Sequence, residues 1–467
     1  MTLGARRAWV TLAVVALAIA LVAIGRWLWA LGAGVPILYG EGAVAHAAIL
    51  ARDRAEYAAL ADPRGLIFVA ANYPPLYFRI AGIADPFVAG RAASIVAALF
   101  VAAAIARTAF TRSGVLAAVA LAATWLACMP VATWGPAVKP DLVALAFTVA
   151  AVLAADGRRR PALAGVLVAL AIWSKPTAAL PAIALAVSLG GRATGIRRYA
   201  AGIVAGSAAV LALAGGDPGA MFEHVVAWNA LPWHADQALL LVLVLAVVFG
   251  VPLLSYAFAR PSGAIGAYAV AAAAIVVLGG REGATINYLL DLVTAATLGL
   301  AASGDRVTSG WARPALIAVQ LVVALALFDP LGLLGGRSIG TGAWASPARL
   351  AAVHVLPGDL LVEDAGLLVA DGRVPKVDDL FLWSRLLDRG ALPERDRLLD
   401  AVSAGEFDAV VSEVDLSRIA AAPAYERQRW HPRLVDAVLA RYRLTREADG
   451  LFVYQRAISL TDRVAFP

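Results

Sequence analysis

Eleven apolar stretches, separated by turns of two alternating kinds, constrain this chain more than any other feature. They run over residues 8–31, 87–106, 115–131, 142–155, 163–173, 176–189, 200–213, 238–258, 265–278, 288–300 and 315–331. The 467 residues are 61% hydrophobic and only 15% charged, which is the composition of an α-helical multi-pass membrane protein and not of a soluble globule. One set of turns is arginine-rich: Arg6-Arg7, Arg107 with Arg112, Arg158-Arg159-Arg160, Arg192 with Arg197-Arg198, Arg260, and Arg306 with Arg313. The other set holds carboxylates, aromatics, prolines and single cations: Glu41, Tyr73-Pro74-Pro75, Lys139-Pro140-Asp141, Lys175-Pro176-Thr177, Trp228-Asn229, Arg281-Glu282 and Asn287. Arginine clusters mark the cytoplasmic side, so the second set faces outward. An odd number of spans then places the N-terminus inside and the C-terminus outside.

The net charge of +6 carries no nucleic-acid signal, because the arginines sit largely beside the spans, where orientation accounts for them. A single cysteine, Cys128, excludes an intrachain disulfide. The first stretch follows Arg6-Arg7 as a signal peptide would. It is long for one, and Arg26-Trp27 stands where a small-residue cleavage site belongs, so it reads as a retained span. Several stretches fall short of the roughly 20 residues of a spanning helix. Residues 161–190 are too long for one crossing and short for two, yet arginines flank both ends. Two short helices meeting at Trp173-Ser174-Lys175-Pro176-Thr177, in the outer half of the membrane, satisfy both constraints.

Two segments are long enough to fold outside the membrane, giving a transmembrane domain at 1–334 and an extracytoplasmic α/β domain at 335–467. Within the first domain, the outer loop 32–80 carries an alanine-rich stretch, 42–60, that reads as a helix lying along the interface. In the second, 359–363 and 407–414 read as strands and 393–404 and 432–441 as helices. Residues 443–447 and 451–455 flank Ala448-Asp449-Gly450 and read as a hairpin.

The outward turns hold the residues that can do chemistry. Glu41, between Gly40 and Gly42, is a carboxylate that a substrate can approach closely, and it is also a plausible solvated loop acid. Tyr73 and Tyr77, around two prolines, suit a binding surface or an aromatic belt. Lys139, Asp141 and Lys175 are ionisable groups at the ends of apolar helices, where such groups are costly and functional by default, with snorkelling as the alternative. Trp228, beside the polar Asn229, suits sugar stacking as well as interfacial anchoring. Arg281 precedes Asn287-Tyr288, with Asp291 one turn further on. The histidines and acids of 223–236 lack metal-ligand spacing, and there is no P-loop, dinucleotide fingerprint or nucleophile elbow.

Taken in order, these residues resemble the GT-C superfamily of integral-membrane glycosyltransferases, which includes the protein O-mannosyltransferases and their bacterial relatives. The resemblance covers about 300 residues and rests on Glu41, Tyr73-Pro74-Pro75-Leu76-Tyr77, Gly90-Arg91, Lys139-Pro140-Asp141, Lys175-Pro176-Thr177, and Asn287-Tyr288 with Asp291. Many members carry two adjacent acids in the first outer loop, where this chain has Glu41-Gly42. The resemblance implies sugar transfer from a polyprenyl-phosphate lipid to a cell-envelope glycan, lipid or protein at the outer face of a bacterial inner membrane. It implies Glu41 as general base, alone or helped by Asp53 or Asp141. Lys139, Lys175 and Arg281 would hold the phosphate, and Tyr73, Tyr77, Trp228, Asn229, Asn287 and Tyr288 would line the substrate. No metal ligand is assigned, and a divalent ion stays compatible with the chemistry. A flippase or transporter of lipid-linked glycans is the alternative reading. Such proteins usually show internal symmetry, and none is visible here.

Overall fold

The structure, a computed structural model, describes residues 2–57, 65–156, 160–190, 193–259, 262–304, 310–332, 347–392 and 397–457. Arg158, Arg159, Arg192, Arg260, Arg306 and the expected domain boundary at 335 lie outside them. The membrane part comprises α1 (Leu3–Ala33), α2 (Glu41–Ala51), α3 (Pro75–Ala81), α4 (Pro86–Ala127), α5 (Met129–Trp134), α6 (Asp141–Asp156), α7 (Pro161–Ser174), α8 (Ala179–Ser188), α9 (Ala193–Ala214), α10 (Pro218–Phe222), α11 (Ala235–Ala259), α12 (Gly263–Leu278), α13 (Leu290–Ala302) and α14 (Ala312–Phe328). By length and composition, α1, α4, α9 and α11 are able to cross a membrane. The expected spans 163–173, 176–189, 265–278, 288–300 and 315–331 fall in shorter apolar helices.

Sequence accounts for the helix ends. Asp85 caps α4 by accepting from the Phe87 and Val88 amides, with Pro86 at the first helical position. Although α4 is continuous in assignment, it breaks at Gly114 (φ 82°, ψ −175°). It must reverse there. Ser94 Oγ donates to the Ala137 carbonyl at 2.7 Å. A straight helix would carry residue 127 about 50 Å from residue 94. The ten residues that follow span at most about 36 Å even when fully extended. The stretch 115–131 is therefore the returning arm. It ends at Cys128, whose extended backbone separates α4 from α5.

The tightest helix pair is α7 with α9. A Cβ on Gly165 would lie 2.1 Å from the Tyr199 carbonyl, and one on Gly202 would lie 2.1 Å from the Ala162 carbonyl. Gly206 packs on Ala169. Gly202 and Gly206, four residues apart, let the two backbones touch, the usual solution where lipid removes the hydrophobic drive between helices. The expected break after Trp173 is present: α7 stops at Ser174, Lys175 is extended (φ −148°, ψ 125°), and a 3₁₀ turn, Pro176–Ala178, leads into α8.

The interfacial helix expected at 42–60 is corrected in position and environment. The helix is α2, Glu41–Ala51, and nine of its eleven residues are buried. It is covered because the C-terminal part of the chain sits on it: a Cβ on Gly42 would fall 2.1 Å from the Gly366 amide nitrogen. An alanine-rich helix buried all round has no lipid-facing stripe.

The C-terminal part is α/β, as expected. Its sheet contains β1 (Leu360–Val362), β2 (Ala409–Ser412), β3 (Tyr442–Ala448) and β4 (Leu451–Arg456), in the order β1-β2-β4-β3. The β1–β2 pair is parallel, and β4 is antiparallel to both β2 and β3. Asp449 (φ 54°) and Gly450 (φ 73°) make the two-residue hairpin turn that demands left-handed backbone at both positions. Helix Pro432–Arg441 has the expected bounds. Helices Pro347–His354, Gly366–Ala370 and Leu380–Asp388 were not anticipated. The sheet domain is stitched to the outer loop: Phe68 bridges Val377, and the Ile67 and Phe68 amides both donate to the Lys376 carbonyl.

Candidate active site

Glu41 opens α2 behind Gly40, whose left-handed backbone (φ 78°) turns the chain into the helix. The carboxylate is completely buried and both oxygens are engaged. Oε2 accepts from the Ile37 amide (2.7 Å) and from Arg91 Nη2 (3.0 Å), and Oε1 accepts from the Val138 amide (2.7 Å). Arg91, equally buried, also donates to the Ala30 and Val35 carbonyls. The pair thus ties the end of α1, the start of α2, α4 and the loop before α6 into one knot.

Asp141, the first residue of α6, also has both oxygens engaged. Oδ1 accepts from Lys175 Nζ (2.6 Å) and Asn287 Nδ2 (2.7 Å), and Oδ2 accepts from Trp134 Nε1 (3.1 Å). The expected members Lys175, Asp141 and Asn287 are therefore brought together, with Trp134 as a partner not foreseen. Lys175 stands 4.9 Å from the centre of the Tyr288 ring.

Arg281 approaches the same ring from its hydroxyl. It donates to Tyr288 Oη (3.2 Å), to the Asn229 carbonyl (2.6 Å) and to Asn229 Oδ1 (3.0 Å). Asn229 is itself held by donation to the carbonyls of Asn72, His224 and Val225, so it positions the guanidinium. The turn carrying Arg281 is clamped by Gln237, whose amide donates to the Gly279, Arg281 and Ala284 carbonyls. Among the described residues no carboxylate forms an ion pair with Arg281 or with Lys139. Lys139 Nζ donates to the Gly40 carbonyl (2.7 Å) and lies 6.0 Å from the Tyr73 ring. Tyr73 in turn is within electrostatic reach of Asp141, Tyr288, Arg281 and Asp379.

Two expected binding residues are enclosed by protein. Tyr77 is wholly buried and donates to the Gly90 carbonyl, packing α3 on α4. Trp228 is buried between Phe68 (ring centres 5.2 Å apart, stacked) and His224 (4.0 Å). Both serve packing: each has its ring surrounded by protein. Among the described residues no three His, Cys, Asp or Glu side chains stand close enough to hold a metal.

The C-terminal domain adds a wall that sequence reading missed. Tyr39 donates to Asp379 Oδ1 (3.1 Å) and accepts from the Phe381 amide (3.0 Å). The Arg429 guanidinium stacks 4.0 Å from the Tyr39 ring and 4.6 Å from Tyr425, and it pairs with Glu363 and Glu413. Asp364, half-buried beside Gly366, is pushed up to about 7 by burial and by the Glu413 charge. The only sequence signal for Asp379 is that of a helix cap, an aspartate just before Leu380-Phe381-Leu382-Trp383, and it does cap that helix through the Leu382 amide.

This arrangement of membrane helices, a buried first-loop helix and a covering C-terminal domain is shared with a protein of solved structure. The structure superposes on the crystal structure of apo ArnT from Cupriavidus metallidurans with a TM-score of 0.57 at 16% identity, covering 99% of this chain and 100% of that one. The same protein bound to undecaprenyl phosphate matches with a TM-score of 0.56, also at 16% identity, over 96% and 98% of the two chains. No protein-family model matches the sequence, and no curated protein matches it.

Proposed function

We propose that this protein is a glycosyltransferase that moves a sugar from a polyprenyl-phosphate lipid to a cell-envelope glycan, lipid or protein, at the outer face of a bacterial inner membrane. The observation that carries this reading is the convergence of Arg281 and Lys175 on the Tyr288 ring, with Lys139 beside Tyr73, in a chain with the ArnT fold. In the reaction an acceptor hydroxyl oxygen attacks the anomeric carbon. The carbon–oxygen bond to phosphate breaks, and the lipid phosphate leaves with the electron pair. The acceptor proton passes to a carboxylate. A phosphate leaving group needs cations and no general acid.

The three cations differ in what they offer. Lys175 is neutralised by Asp141 at 2.6 Å, so much of its field is spent. Arg281 and Lys139 carry charge without an ion-pair partner among the described residues, and Arg281 presents a fork that suits phosphate oxygens. Arg281 is therefore assigned as the principal phosphate ligand, with Lys139 second and Lys175 held in place by Asp141. Asn287 and Tyr288 complete that end of the site. Glu41, with both oxygens occupied, is assigned as a positioning residue that fixes the backbone at Val138, next to Lys139.

The test is equilibrium binding of undecaprenyl phosphate to the full chain in nanodiscs. Saturable binding that weakens in Arg281→Gln is expected. Absence of saturable binding by the wild type would sink the reading.

A further inference from the structure

We propose that Asp379, carried into the site by the C-terminal domain, is the general base that takes the acceptor proton. The inference rests on the glycosyltransferase reading and names a residue for its central step. A base needs a lone pair directed at the substrate. Glu41 and Asp141 have both oxygens bonded to donors, including a buried arginine and a buried lysine. Asp379 uses only Oδ1, which accepts from Tyr39 Oη and the Leu382 amide. No described residue hydrogen-bonds its Oδ2, although the residue is 8% exposed.

Placement supports the role. The segment 376–381 is pinned to the membrane part at every step: Lys376 accepts from Ile67 and Phe68, and Asp378 accepts from the Ala70 amide and pairs with His46 at 3.0 Å. Phe381 bonds Tyr39 through its amide and packs its ring on Gly283, two residues beyond Arg281. Among the carboxylates whose field reaches Lys139, that of Asp379 acts most strongly, ahead of Asp141, Glu41 and Asp364. Asp379 also acts on Tyr73, which Arg281, Tyr288 and Asp141 reach as well. Asp364 and Asp291 are rivals with an open oxygen, but the charges that act most on Asp364 are Glu413, Glu41 and Arg429, and Asp291, bonded by Tyr268, is not among the carboxylates that act most on Lys139 or Tyr73. Helix capping explains Oδ1 of Asp379 and leaves Oδ2 unexplained.

In the proposed step Oδ2 accepts the proton of the acceptor hydroxyl as its oxygen bonds the anomeric carbon and the lipid phosphate departs. The groups facing Asp379 are Lys139, Tyr39, Tyr73, Tyr425 and Asp378. Burial, the largest influence, raises its carboxyl above the ordinary aspartate range, with the Leu382 amide and Lys139 opposing. The base must be ionised to act, so the rate falls as pH drops through that raised value.

The experiment uses a depletion strain of the source organism, complemented with the wild type, Asp379→Asn or Asp364→Asn, and profiles envelope glycans, lipids and glycoproteins for the sugar lost on depletion. Asparagine keeps both Oδ1 hydrogen bonds, so a folded protein is expected. Transfer in membranes carrying Asp379→Asn should fall by about 10²–10⁴-fold, while undecaprenyl phosphate binding in nanodiscs stays within about twofold of wild type and Asp364→Asn transfers within about tenfold. The acid limb of the wild-type pH–rate profile should be present. Transfer by Asp379→Asn within about tenfold of wild type, loss confined to Asp364→Asn, loss of undecaprenyl phosphate binding in Asp379→Asn, or a wild-type profile without an acid limb would each overturn the proposal and leave the glycosyltransferase reading standing. Depletion that removes no envelope sugar would overturn both.

Discussion

Glu41 and Asp379 both act on Lys139 and have opposite surroundings. Glu41 sits in a closed knot: three donors, one of them Arg91, meet both of its oxygens, and neither partner of the ion pair touches solvent. Asp379 sits at a seam between two parts of the chain with one oxygen occupied and one open. A buried charge with both oxygens engaged holds backbone in place, while one with a whole oxygen open can do chemistry. First-loop position alone made Glu41 look like the reactive acid; the engagement of both its oxygens is what favours the architectural role proposed for it.

Four perturbations would break or sharpen this contrast. The largest effect is expected from Arg91→Met, which leaves the Glu41 carboxylate buried without its cation. Removing one partner of a buried pair typically costs about 3–5 kcal/mol, so the melting temperature in detergent should fall sharply, with donor binding lost only through unfolding. A variant as stable as wild type would mean that Glu41 is not bound as described and is again open to a catalytic role.

Next comes Arg281→Gln, on the open side of the comparison. A hydrogen bond to a charged group contributes about 1.5–3 kcal/mol, so undecaprenyl phosphate should bind roughly 10- to 150-fold more weakly with little change in stability. Lys175→Met should show the reverse pattern, because its main partner is Asp141. Equal loss of binding in both variants would erase the distinction between neutralised and available cations.

Gly42→Ala tests how the C-terminal domain is seated on α2. The added Cβ meets the Gly366 backbone at 2.1 Å, so the C-terminal domain must shift. Overpacking of this kind costs about 1–3 kcal/mol. Protease sensitivity around residues 364–381 should rise, and transfer should drop more than undecaprenyl phosphate binding, because the displaced domain carries Asp379. The smallest effect is expected from Tyr39→Phe, which removes one of the two hydrogen bonds to Asp379 Oδ1 and leaves the Leu382 amide in place. Transfer should slow by no more than about tenfold, with an acid limb shifted because the carboxylate loses a donor. An unchanged pH profile would disconnect Tyr39 from the reacting carboxylate.

What the sequence by itself determined is local and periodic. Apolar runs became helices, Asp85-Pro86 began one, Lys175-Pro176 interrupted another, and Asp449-Gly450 closed the hairpin, because capping, proline geometry and left-handed backbone depend on a few adjacent residues. The ordered motifs Lys139-Pro140-Asp141, Lys175-Pro176-Thr177 and Asn287-Tyr288 did mark side chains that meet in space. Only the tertiary structure decided which of those charges are already satisfied. Glu41 finds Arg91 fifty residues away and Val138 ninety-seven residues away, and Asp379 reaches Tyr39 across 340 residues. Whether a carboxylate is saturated depends on how many donors packing brings within about 3 Å of it, and adjacency along a chain carries no record of that count.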